Sequence, residues 1–104
     1  MSPDYRVLPA VIDDIFGIWL FIAQDNLEAA NRVESEIWDA FADLAQLPDR
    51  GHHRPDLTSR PLRFWRVRKY LIAYAPGEQP LVIVAVLHGM RSPRLMAAIL
   101  RDRR

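Results

Sequence analysis

The chain has 104 residues, 50% apolar and 26% charged, and no cysteine. That length holds one domain with one core, and the composition excludes a disordered chain, a disulfide framework and a thiolate metal site. The net charge of +1 hides a split: residues 1–49 carry two basic groups against ten acidic ones, whereas residues 50–104 carry twelve against three.

Such a split predicts two electrostatic surfaces. The basic half can attract a phosphate backbone or an acidic protein segment, while the acidic half can equally be the solvated side of two helices. The lack of cysteine suits a reducing cytoplasm. No basic stretch precedes an apolar core at the N-terminus, so no signal peptide is expected. The longest apolar run, Ile15–Ala23, is interrupted by Gly17 and falls well short of the ~20 residues a membrane span needs.

Tyr5–Leu8 reads as a short strand stopped by Pro9, which is well placed to open a helix because it lacks an N–H that would be unpaired there. Asp13 and Asp14 follow, where carboxylates complement the helix dipole. Ile12, Ile15, Trp19 and Ile22 recur at helical steps, so a helix is expected to about Gln24. Phe16, Ile18, Leu20 and Phe21 make it more apolar than one buried face requires. It is either packed deep in the core or covered by a partner.

Asp25-Asn26-Leu27-Glu28 reads as a capping box opening a second helix. Its core stripe is Ala30, Val33, Ile37, Phe41, Leu44 and Leu47, and Pro48 ends it. A connection of only one or two residues makes the pair an antiparallel hairpin. A loop over 49–61 leads to strands over 62–67 and 70–75, joined by Arg68-Lys69. The loop 76–80 leads to seven unbroken apolar residues, Leu81–Leu87, which read as a central strand covered on both faces. Ser92-Pro93 opens a C-terminal helix with Leu95, Met96, Ile99 and Leu100 on its apolar side.

The predicted fold is α+β, a single domain over 1–104 in the order β-α-α-β-β-β-α. A small antiparallel sheet carries the helical hairpin on one face. The other face then needs cover from the C-terminal helix or from another chain.

His52 and His53 are loop neighbours that do not converge well on one ion, so no metal site is expected. Arg63, Phe64, Trp65, Arg66, Arg68, Lys69, Tyr70 and Tyr74 fall within twelve residues. Cations beside aromatic rings suit phosphate contact with base stacking, or a core aromatic with solvated cations. His88, Gly89 and Arg91 follow the central strand. A His and an Arg there can act as an acid–base and charge-stabilising pair on a phosphodiester, or serve only as a structural exit from the strand. No Gly-rich phosphate loop is present.

The run Val86-Leu87-His88-Gly89-Met90-Arg91 resembles the ending of the last strand in ParE toxins of the RelE/ParE superfamily. Ile22–Asn26 resembles the family's hairpin turn, Leu47–Gly51 and Arg54–Leu57 its loop, and Lys69–Tyr74 its middle strand. Ser92-Pro93 departs from the family, which frequently carries Asp near this position. The resemblance implies the toxin of a type II toxin–antitoxin pair. A ParD-like antitoxin would hold it inactive, with a ribbon-helix-helix DNA-binding part and a tail that wraps the toxin. DNA gyrase would be the target, trapped on cleaved DNA by binding rather than catalysis. DNA contact would be indirect, and no cofactor or membrane is implied.

On that resemblance the expected target contacts are Arg91, Arg94 and Arg101, with the rest of the basic C-terminal tail beside them. The expected antitoxin contacts are Trp19, Leu20, Phe64, Arg66, Tyr70 and Tyr74. RelE-type relatives instead cut mRNA in the ribosome. In that alternative His88 serves as acid or base, with Arg66 and Arg91 on the phosphate. A third alternative is a degenerate, non-toxic module that only binds antitoxin.

Overall fold

Pro9 opens the first helix at the point where the first strand must stop. In the computed structural model, which describes residues 4–104, the strand β1 spans Tyr5–Val7 and the helix α1 spans Pro9–Ala23. The second helix, α2, spans Leu27–Gln46. The strands β2 (Arg63–Val67), β3 (Tyr70–Ala75) and β4 (Leu81–His88) follow, and α3 closes the chain at Pro93–Arg101. The order is the expected one.

The meander β2-β3-β4 is antiparallel. β1 joins it parallel to β4, with Tyr5 opposite Leu81, so the four-stranded sheet is mixed, in the order β1-β4-β3-β2. The parallel pairing is open to β1 because no tight turn joins it to β4: α1, α2, β2 and β3 lie between them in the chain.

α1 and α2 form the hairpin, with three residues between them (24–26) rather than one or two. The cap also sits one residue later than the sequence pattern suggested. Asn26, not Asp25, accepts the Ala29 N–H at 3.0 Å, because Asn26 is the residue with extended backbone before the first helical turn. The α2 stripe is buried at Ala30, Val33, Ile37, Phe41 and Leu44. Leu47 departs from it: the helix ends at Gln46, and Leu47 stands exposed.

In β3 and β4 consecutive residues are buried, although their side chains alternate between the two faces of the sheet. Both faces are therefore covered. The hairpin packs against the sheet, and the remaining cover comes from within the chain. Met96 and Leu100 of α3 are buried, as are Leu57 and Leu62 of the long loop. Tyr74 ties that loop to β3: its hydroxyl accepts the Gly51 N–H and donates to the Pro48 carbonyl, both at 2.8 Å. A side chain at residue 51 would meet the Tyr74 hydroxyl at 2.6 Å and the Phe64 carbonyl at 2.7 Å. In the two-residue β2–β3 turn Arg68 adopts φ 54°, and its guanidinium grips Glu36 of α2 through two bonds of 2.7 and 2.8 Å.

Candidate functional site

The C-terminal end of β4 sets the geometry of a hollow that brings His88 and Arg91 together. Its last residue, His88, pairs in register with Tyr70, and the two rings meet edge to face at 5.5 Å. The strand then turns sharply. Gly89 N–H donates to the Lys69 carbonyl at 2.8 Å. A Cβ at Gly89 would lie 2.9 Å from that carbonyl oxygen and 3.6 Å from Nη2 of Arg66. Only glycine permits this approach of two backbones. Arg91 N–H then donates to the His88 carbonyl at 3.0 Å, which returns Arg91 to the side of His88.

The Met90 N–H donates to Nδ1 of His88 at 3.2 Å. This bond assigns Nδ1 as the acceptor and leaves the ring proton on Nε2. His88 and Arg91 share a hollow of about 450 Å³ with Asp13, Phe21, Tyr70 and Arg103. Burial raises the phenol of Tyr70 above its ordinary value of 10.0, so it is neutral near neutral pH. Among the described residues, no carboxylate pairs with His88, Arg91, Arg94 or Arg101. Arg91, Arg94 and Arg101 are exposed, and the seven-residue step from Arg94 to Arg101 puts them near one face of α3.

The structure separates the expected partner contacts into two groups. Trp19 is half-buried, and Leu20 and Arg66 are exposed. Phe64, Tyr70 and Tyr74 are 2, 2 and 0% exposed and belong to the core, which corrects their reading as surface contacts. Where the sheet is covered on both faces, as along β3 and β4, aromatic residues on either face turn inward. The base-stacking reading of this strand pair fails for the same reason. Two of its four cations are also engaged: Arg63 donates to the Gly51 carbonyl at 2.7 Å, and Arg68 is held by Glu36, whereas Arg66 and Lys69 are exposed. The half-buried Trp65 is overlaid by Arg50, 4.6 Å above its ring.

Arg103 is likewise not part of a free cationic tail. Asp14 binds it through two bonds of 2.8 Å, and these raise the guanidinium further above its ordinary value. Sequence reasoning placed Asp14 at a helix dipole and missed this pair, since no local pattern joins two residues so far apart. His52 pairs its backbone with Phe64, and Nδ1 of His53 lies 3.3 Å from the Leu62 carbonyl. Among the described residues no group of three metal-ligating side chains exists, and no helix is long and apolar enough to cross a membrane.

The comparison with curated proteins found no match. The family model for the ParE toxin of the type II toxin–antitoxin system parDE matches residues 5–93. This span runs from β1 to the start of α3 and includes the whole sheet, the hairpin and the His88–Arg91 turn. The chain therefore belongs to the ParE toxin family, one half of a toxin–antitoxin pair.

Proposed function

We propose that this chain is a cytoplasmic ParE-like toxin that binds DNA gyrase and blocks replication, and that a ParD-like antitoxin neutralises it. One observation carries the choice of surface. Arg91, Arg94 and Arg101 are exposed and without a carboxylate partner among the described residues, as Arg66 and Lys69 also are, and the three share the turn after β4 and the helix α3, whereas Arg54, Arg63, Arg68 and Arg103 all have a carboxylate within 4.0 Å. Unpaired guanidinium groups suit an acidic or phosphate-bearing surface, to which they donate in a planar fork. Arg91 leads because the His88 turn fixes its backbone. The antitoxin contacts under this reading are Trp19, Leu20 and Arg66. The action is by binding, and DNA is reached only through gyrase or the antitoxin.

A second reading, a ribosome-dependent endoribonuclease, draws support from the hollow. Nε2 of His88 carries a proton that can be donated, and Arg91 lines the same space. Arg66 stands beside Gly89 at the same turn.

Pulse-labelling of DNA and protein synthesis just after the chain is induced alone in bacterial cells separates the two. DNA synthesis falls first under the gyrase reading. An early fall in protein synthesis, with cleavage of translated mRNA that His88→Ala abolishes, would move the assignment to the nuclease. If neither falls, the chain is an antitoxin-binding module without toxicity.

A further inference from the structure

Met90 stands at the tip of the turn that ends β4, and at 79% it is the most exposed large apolar side chain among the described residues. A single exposed apolar residue needs no explanation by itself. What distinguishes Met90 is how firmly its backbone is held. Three successive N–H groups at this turn are each tied. Gly89 donates to the Lys69 carbonyl at 2.8 Å, Met90 to Nδ1 of His88 at 3.2 Å, and Arg91 to the His88 carbonyl at 3.0 Å. The glycine is required, because a Cβ there would meet the Lys69 carbonyl oxygen at 2.9 Å. A thioether on a fixed turn is therefore presented to solvent, and little backbone freedom is left to lose when a partner covers it.

The surroundings describe that partner. Residues 90–95 are all exposed, so Met90, Arg91, Arg94 and the 48% exposed Leu95 form one uninterrupted outward segment. Lys69, whose carbonyl holds Gly89, adds a third exposed cation. No carboxylate pairs with these cations among the described residues. Apolar tips with Met and Arg together are what protein interfaces favour at their centre, and an unbranched thioether fills an irregular apolar pocket well. The cations suit acidic groups around such a pocket.

We infer that Met90 is the apolar anchor of the target contact. It enters an apolar pocket on a protein, and Lys69, Arg91 and Arg94 meet acidic groups on the pocket's rim. A wedge between DNA base pairs is the poorer fit. Asp13 is exposed and lines the same hollow as His88 and Arg91, and it would repel the phosphates that a duplex brings to this turn. Phe21, 67% exposed in that hollow, likewise suits a protein surface better than a phosphodiester backbone. The inference rests on the reading that the turn after β4 meets the target, and it adds the side chain that supplies apolar contact there.

The test compares Met90→Ser and Met90→Leu, both at an exposed position and both expected to melt like the parent. Expressed alone in bacterial cells, Met90→Ser loses growth arrest and Met90→Leu keeps it. In the absence of DNA, affinity for purified DNA gyrase from the same cells falls about tenfold or more for Met90→Ser and stays within about threefold for Met90→Leu. Unchanged arrest and affinity in Met90→Ser overturn the inference. So does an equal loss in Met90→Leu, since an apolar pocket accepts either side chain. Binding of the parent to a short DNA duplex that Met90→Ser abolishes also overturns it, because the tip is then a wedge between base pairs. If growth arrest depends on Met90 while the parent binds neither gyrase nor the duplex, the gyrase reading fails and the anchor stands with another protein target. If the parent binds gyrase without arresting growth, the affinities decide. If it does neither, both the gyrase reading and the anchor fall.

Discussion

Asp14 and Arg103, 89 positions apart in the chain, together close the open edge of β4. β1 pairs with β4 only at Leu81, Val82 and Ile83, so from Val84 onward that edge has no strand beyond it. Arg103 donates to the Val84 carbonyl at 3.1 Å, and Asp14 accepts the Val86 N–H at 3.0 Å. The two side chains, each 15% exposed, stand where a neighbouring strand would, and they lock the end of the chain to the first helix. An uncovered edge would offer its backbone groups to another chain.

Asp14→Ala should therefore be costly. It leaves a largely buried guanidinium unpaired and a backbone N–H without an acceptor, a loss of about 3 kcal/mol. Urea unfolding measures it. The double variant Asp14→Ala, Arg103→Ala should lose less than the sum of the singles, because each single strands the other's charge. Additive losses would show that the two groups act independently.

Tyr74→Phe should cost about 1–3 kcal/mol, because the Gly51 N–H and the Pro48 carbonyl both lose their partner. Gly51→Ala should also destabilise the chain, since a methyl group there meets the Tyr74 hydroxyl and the Phe64 backbone. Thermal unfolding should show both losses. A melting temperature for Tyr74→Phe equal to the parent's would mean that the bridge adds nothing.

Stability should decline at both ends of the pH range. Hydrogen bonds from Arg68 hold Glu36 below its ordinary 4.5, and those from Arg54 hold Asp56 below 3.8. A carboxylate with a lowered folded value contributes fully above its unfolded value, and the contribution is lost as pH falls through the folded one. Asp56 is exposed and Glu36 is half-buried at the surface, so this acid limb is shallow, and Glu36→Gln with Asp56→Asn should flatten it. At the alkaline end, burial raises Tyr70 and Tyr74 above 10.0. The folded chain keeps these protons, so their contribution is whole below pH 10 and lost as pH rises through the folded values. Tyrosinate absorbance from these two rings should appear together with unfolding. Their ionisation near pH 10 in a chain that is still folded would contradict this.

Arg91→Ala should relieve growth arrest without unfolding the protein. Arg91 is exposed, and only its backbone is tied to the fold, so the change in stability should stay within about 0.5 kcal/mol. Growth curves and thermal unfolding of the same variant check both halves. Full toxicity with a normal melt would remove Arg91 from the contact surface.

The local signals in this sequence were strong where one short segment decides the outcome. Pro9, the α2 stripe from Ala30 to Leu44, the apolar run Leu81–Leu87 and Ser92-Pro93 each specify an element through periodicity or backbone chemistry. Together they determined the order of elements and the fold class. Family membership was legible for the same reason, since its motifs are contiguous runs such as Val86–Arg91. What lies between elements was not legible. Whether Phe64, Tyr70 and Tyr74 face a partner or the core depends on what covers each side of the sheet. The parallel seating of β1 depends on where the hairpin returns the chain. The fate of Arg103 depends on Asp14 arriving beside it from the other end of the molecule. These outcomes come from long-range packing, in which burial and charge pairing are settled between residues with no neighbourhood in sequence, so only the tertiary structure decided them.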